Sequence, residues 1–296
     1  MERFIKKIVS VSLVFAMLIA VAAPGQVQAK TTKKSVTLYV GEEYTLYDME
    51  NQFKSVSSSK KSVATVTKNK KSSYVAKITA KKPGKTTVTV KTKKDTTKYN
   101  ITVKKIDITG TFTDMGDGNL LLELKNNTKN TFEGVDIKYV LKDSSGKTYE
   151  TDKTAVFGLV AGKTVYTNIT YFESEFTPDP SKCTVTASGV ERTVNYTYKD
   201  ASSDVEASVT NTDIDTGKRT VQYTVREKNN SKNYVVGNVY ILIYDADGNL
   251  VNEVSDSINL SSNATDTDTT NKAYFGRKTD LNNLTYKIYT VAYYTK

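Results

Sequence analysis

The chain has 296 residues, with 42 lysines and arginines against 32 aspartates and glutamates, one cysteine, no histidine and no tryptophan. The missing histidine removes the commonest general base and the commonest transition-metal ligand, so Ser-His-Asp and Cys-His chemistry is excluded. The single cysteine excludes an intramolecular disulfide. The basic excess is local: residues 30–105 hold 19 lysines against 5 acidic residues, a balance of +14, whereas 106–296 hold 20 Lys+Arg against 26 Asp+Glu, a balance of −6.

The first predicted element is a leader. "MERFIKK" supplies a positive start, "IVSVSLVFAMLIAVAA" an apolar run and "PGQVQA" a break with a small-residue exit. That order reads as a secretory signal peptide over 1–29, cleaved after Ala29. The apolar run is shorter than the ~20 residues a spanning helix needs, and Pro24-Gly25 interrupts it. No second long apolar run follows, so no transmembrane segment is expected after cleavage, and the expected location is extracellular or at the cell surface. Cys183 alternates with Val185 and Ala187 and reads as a small buried hydrophobe rather than a reactive thiol.

Residues 30–106 alternate with period two through "SVTLYV", "YTLY", "SVATVT", "YVAKITA", "TTVTVKT" and "YNITVKK". Turn residues separate them: Gly41, the Lys68-Asn69-Lys70 corner and Pro83-Gly84. Six or seven strands in so short a block predict a β-sandwich, with Val63, Val66, Val75, Ile78, Val88 and Val90 facing inward. Ser62-Val63-Ala64-Thr65-Val66, then Thr79-Ala80, Gly84 and Thr87-Val88-Thr89-Val90, resemble the group 2 bacterial immunoglobulin-like domain. The upstream "VTLYVGEEYTL" resembles that family's opening strand pair, and Val56 stands where the family usually has tryptophan. The resemblance implies an immunoglobulin-like sandwich, and in related surface proteins such domains serve adhesion and display.

Beyond residue 106 the chain repeats itself. "KNNTKNTFEG" from Lys125 and "KNNSKNYVVG" from Lys228 lead into the apolar runs "VDIKYVLKDSSGK" and "NVYILIYDADGN". The spacing of about 103 residues is the size of one such domain, which divides the chain at 107–200 and 201–296. Tyr139-x-Leu141-x-Asp143 with Gly146, and later Leu159 to Gly162, resemble the FxLYD-type β-sandwich module of exported bacterial proteins. Ile241-x-Ile243-Tyr244-Asp245 with Gly248 is a looser second copy. Corners are expected at Gly116-Asp117-Gly118-Asn119, Ser145-Gly146 and Asp247-Gly248. The predicted fold class is therefore all-β: three tandem immunoglobulin-like β-sandwich domains after a cleaved signal peptide.

Candidate chemistry is thin. Asp245-Ala246-Asp247-Gly248-Asn249 offers too few oxygen ligands for a calcium loop, and Glu253 falls too early; "DTDTT" at 266–270 and Asp213-x-Asp215 offer fewer. Glu173 and Glu175 share a strand face, but spacing alone does not place two carboxylates across a sugar ring. Tyr286, Tyr289, Tyr293 and Tyr294 could stack on sugars, yet strand parity splits them between two faces, which favours core and edge filling. Asn126-Asn127-Thr128 and Asn229-Asn230-Ser231 read as turns. No catalytic residue, metal or cofactor is expected.

The lysines remain. Secretion argues against nucleic acid as the partner of the basic block. Lysines protect strand edges from pairing, but edge protection needs only a few. The surplus points to cell-envelope polyanions or glycans, with Lys60, Lys61, Lys68, Lys70, Lys71, Lys81, Lys82 and Lys85 as the candidate contacts. The expected function is a non-catalytic exported surface or wall-associated protein, with the two later sandwiches for display, spacing, adhesion or contact with a protein partner. The alternative is a secreted carbohydrate-binding or substrate-delivery factor acting through those later modules.

Overall fold

A computed structural model describes residues 30–171, 176–192, 196–277 and 279–296. The leader read in residues 1–29 and the pair Glu173 and Glu175 lie outside the described residues. The described chain is all-β, in several sheets consistent with β-sandwiches. Its one helical element is a 3-10 turn, Leu281–Asn283. Among the described residues no helix is long and apolar enough to cross a membrane.

The first seven strands are β1 (Thr31–Tyr39), β2 (Glu43–Tyr47), β3 (Ser55–Ser58), β4 (Ala64–Lys68), β5 (Val75–Ala80), β6 (Gly84–Lys91) and β7 (Thr96–Lys104). They form two sheets, β1-β7-β6-β3 and β2-β5-β4, with β1 parallel to β7. Leu38, Val88, Val90, Ile101 and Val103 from one sheet meet Leu46, Ala76, Ile78 and Ala80 from the other. Val63, Ile78, Val88 and Val90 are buried as predicted, and Val66 packs half-buried against them. Val75 does not. In β5 the inward set is Ala76, Ile78 and Ala80, and a residue at odd offset from Ile78 must point to the opposite face.

The next six strands are β8 (Ile108–Gly116), β9 (Asn119–Asn126), β10 (Phe132–Lys142), β11 (Thr148–Leu159), β12 (Thr164–Thr170) and β13 (Thr184–Glu191), in sheets β12-β9-β8 and β11-β10-β13. The tight turn joining β8 to β9 needs positive φ at both central residues, and Asp117 (52°) and Gly118 (76°) supply it. The last eight are β14 (Tyr198–Asp200), β15 (Val205–Asp215), β16 (Thr220–Asn229), β17 (Val235–Tyr244), β18 (Leu250–Leu260), β19 (Thr265–Thr269), β20 (Ala273–Tyr274) and β21 (Thr285–Thr295). Their sheets are β14-β21-β17-β18 and β15-β16-β19, with β20 also on β16. Although β14 precedes residue 201, it pairs with β21, so the chain has entered the last sheets by residue 198.

The repeat in the sequence is a repeat of hydrogen bonds. Asn126 and Asn229 are fully buried. Asn126 Nδ2 donates to the Asn130 and Leu159 carbonyls, and Asn229 Nδ2 donates to those of Asn233, Leu260 and Ser261. Each Oδ1 accepts from the backbone two residues on, at Thr128 or Ser231. Each asparagine thus ties its own turn to a strand end in the facing sheet, and neither side chain is open to solvent.

The sheet pairs do not hang as separate beads. The core between β8–β9–β12 and β10–β11–β13 also takes in Tyr39 from the first strand and Tyr240, Val291 and Tyr293 from β17 and β21. A small cluster of Met115, Leu121 and Leu242 joins the outer faces of β8–β9 and β17. This is why β17 is buried without a break from Val239 to Ile243: Val239, Ile241 and Ile243 face its own core, while Tyr240 and Leu242 face the preceding sheets.

Candidate functional site

All eight candidate lysines are solvent-exposed. No described carboxylate lies within ion-pair distance of any of them; the ion pairs of the first sheets are Lys77–Glu43 and Arg192–Glu42. Strand register separates the eight into two groups. Ala64 pairs with Ala80 and Lys68 with Ala76, so the β3–β4 and β5–β6 connections share one end and the β4–β5 connection lies at the other.

Lys60, Lys61, Lys81, Lys82 and Lys85 belong to the first group. Their loops are tied directly: the Val63 carbonyl accepts from Lys81 N (2.8 Å) and Lys82 N (3.2 Å), and Lys60 N donates to Thr86 Oγ1 (3.0 Å). Both carboxylates of this end, Glu42 and Glu43, are already paired. Lys68, Lys70 and Lys71 lie at the opposite end, roughly 17 Å away at about 3.3 Å per residue. There Asp48, Glu50 and Asp95 occupy neighbouring turns, with Asp48 N bonded to the Tyr74 carbonyl. The structure therefore brings five lysines to one rim without opposing acid and sets three apart.

That rim adjoins the second pair of sheets through a junction that sequence reasoning missed. Arg192, just after β13, reaches into the β1–β2 turn. Its Nε lies 2.9 Å from Glu42 Oε1, and its guanidinium also donates to the Thr37 carbonyl (2.9 Å). The guanidinium carbon stands 5.6 Å from the centre of the Tyr39 ring. Glu42 Oε2 accepts from Tyr39 N (2.8 Å), and Asn130 Nδ2 donates to the Tyr39 hydroxyl (2.6 Å). The Nε–Oε1 approach is Coulombic rather than a well-directed hydrogen bond. Desolvation raises the Glu42 carboxyl above its ordinary range, a shift that Arg192 and the Tyr39 amide only partly offset. A signal was present: the chain has 5 arginines among 42 basic residues, and arginine is the residue suited to a buried fork. Arg219 is used in the same way, donating to the carbonyls of Phe275, Gly276 and Thr279.

The remaining sequence candidates have structural work. Asp245 Oδ1 accepts from Asp247 N and Asn249 N, clamping the β17–β18 turn. Asp143 does the same for Ser145 and Lys147 in the first copy; the side-chain bonds from the Ser145 hydroxyl to Asp143 and from Asn249 Nδ2 to Asp245, followed by these backbone bonds, hold both carboxyls below the usual range. Cys183 is half-buried against the second core, and desolvation raises its thiol pKa. Tyr289 and Tyr293 pack toward Tyr166 and Tyr198 at ring separations of 5.5 and 5.6 Å, whereas Tyr286 meets Tyr223 on the other face. The parity argument against one flat platform agrees with this arrangement.

A second feature invisible in the sequence is a set of buried acids in the last sheets. Glu227 is 1% exposed on the inward face of β16, directly across the register from Asp266. Desolvation and then Asp256, Asp268 and Asp266 push it up to about 7. Glu227 Oε1, Asp256 Oδ2 and Glu253 Oε1 are all buried without a hydrogen-bond partner. Among the described residues no group of such side chains is disposed to hold a metal ion.

In comparison with known proteins, neither a family model nor a curated protein matches this chain.

Proposed function

We propose that the protein is a non-catalytic, exported envelope protein whose first sheets hold it on anionic surface polymers by summed charge, while the later sheets serve display, spacing or adhesion. The observation that carries this reading is the rim of Lys60, Lys61, Lys81, Lys82 and Lys85, exposed and unopposed by acid. A cluster of like charges on one rim persists only where solvent or a counter-charge screens it, and a polyanion supplies the counter-charge cooperatively. The resemblances to the group 2 bacterial immunoglobulin-like domain and the FxLYD-type module support surface display. The charge asymmetry along the chain supports assigning attachment to the first block.

The test is co-sedimentation of the full chain with purified cell walls over rising salt. Screening shortens from about 30 Å at 0.01 M to about 8 Å at 0.15 M, so binding is expected to fall steeply over that range. Replacing the five rim lysines with glutamate is expected to abolish pelleting, whereas replacing Lys68, Lys70 and Lys71 weakens it less. Salt-insensitive pelleting, or wild-type binding by the five-site variant with its melting temperature unchanged, overturns the proposal.

A further inference from the structure

A cleft of about 350 Å³ lies where the outer face of β18 meets β9 and β12. At about 30 Å³ per water it has room for on the order of ten waters. Its walls come from four separate stretches: Asn119 from β9, Asn168 from β12, Asn252 and Glu253 from β18, and Asn271 and Tyr274 from the segment around β20. None of these stretches forms the cleft alone.

We propose that this cleft binds a neutral saccharide. Four carboxamides converge on it, and an amide both donates and accepts, as the adjacent hydroxyls of a sugar do. Two of the four are already committed. Asn252 Nδ2 donates to the Tyr274 carbonyl (2.8 Å) while its Oδ1 accepts from Glu253 N, and Asn119 bonds Asp117 and Thr170. The side chains of Asn168 and Asn271 are exposed and make no hydrogen bond among the described residues, so they are free to exchange water for ligand. The Asn252 bond holds the backbone of Tyr274, and Tyr274, 68% exposed at the cleft, offers an aromatic face for the C–H face of a sugar.

Charge argues against ionic ligands. Among the described residues of the wall, Lys272 and Glu253 are one basic and one acidic side chain, so the lining gathers no cluster of like charge for an ionic ligand. The lining is also too polar for a hydrophobic ligand. Because the cleft spans two sheet pairs, an occupant contacts both and is expected to tighten their packing.

The experiment titrates cellohexaose, maltohexaose, mannohexaose and chitohexaose separately into the full chain by calorimetry. At least one is expected to bind and to raise the melting temperature. Asn168→Ala and Tyr274→Ala, both at exposed positions, are each expected to lower that affinity at least tenfold with the unliganded melting temperature unchanged. No binding by any of the four, or binding that survives both substitutions, overturns the proposal. The residues are distinct from the lysine rim, so the charge-reversed variant should bind the saccharide as the wild type does, and either proposal can fail alone.

Discussion

Arg192 and Glu42 are separated by 150 residues in sequence, yet their Nε and Oε1 atoms lie 2.9 Å apart, with side chains only 8% and 2% exposed. Such a pair adds little net stability over an apolar replacement, but losing one partner strands the other charge. Arg192→Ala is therefore expected to cost about 3–5 kcal/mol, read by urea denaturation. Arg192→Lys should recover only part of this, because an ammonium cannot serve Glu42 and the Thr37 carbonyl as a planar fork does. An Arg192→Ala protein within about 1 kcal/mol of wild type would show that the junction is not held this way.

Asn126 and Asn229 each close a turn from inside the protein. Alanine removes the donors that satisfy buried carbonyls, at about 1–3 kcal/mol for each group left unpaired. Asn126→Ala and Asn229→Ala are both expected to lower stability by about 2–4 kcal/mol, whereas Asn127→Ala, at an exposed neighbour, should change little. Equal melting temperatures for Asn126→Ala and Asn127→Ala would refute the assignment.

The glycines of the two copies are not equivalent. A Cβ at Gly237 would stand 2.6 Å from Ala292 Cα and closer still to the Val291 carbonyl oxygen, both backbone atoms of β21. At Gly134 the nearest neighbour is the Phe157 ring at 3.4 Å, an ordinary contact. Gly237→Ala should therefore force β17 and β21 apart and cost about 1–3 kcal/mol or more, while Gly134→Ala is expected to be tolerated. Thermal melts of the two variants side by side decide it; a reversed order would contradict the packing described.

Stability should fall as pH rises from about 5 to 8. Glu227 and Glu253 are both pushed from 4.5 to about 7, first by desolvation. Between those values the folded chain keeps protons that the unfolded chain has released, so each step upward favours unfolding, by at most about 3 kcal/mol per site over the window. The carboxyls that turn hydrogen bonds hold low, such as Asp143 and Asp245, act below that range. With no histidine in the chain, the window is uncluttered. Glu227→Gln is expected to raise the melting temperature at pH 8 and to flatten the profile. A wild-type protein more stable at pH 8 than at pH 5 would contradict the burial of these acids.

Much of the architecture was legible because strand formation depends on local alternation. "YVAKITA" and "NVYILIYDADGN" announce β5 and β17 with their turns, and Asp117-Gly118 announces a hairpin that demands positive φ. Val75 is the exception: it lies at odd offset from Ile78 and so on the opposite face, and the small Ala76 and Ala80 carry the inward face. The eight lysines were legible as exposed, but not as two groups, since which loops share an end follows from strand register.

The sequence by itself determined the all-β class, the turn positions and the repeated asparagine motif, because each depends on residues within a few positions of one another, and it determined the uneven charge, which is composition alone. Tertiary structure alone decided that five lysines share a rim, that Arg192 meets Glu42, that Glu227 is buried among acids and that four asparagines line one cleft. Those relationships join residues tens to more than a hundred positions apart, and only the packing of one sheet on another fixes the distances between them.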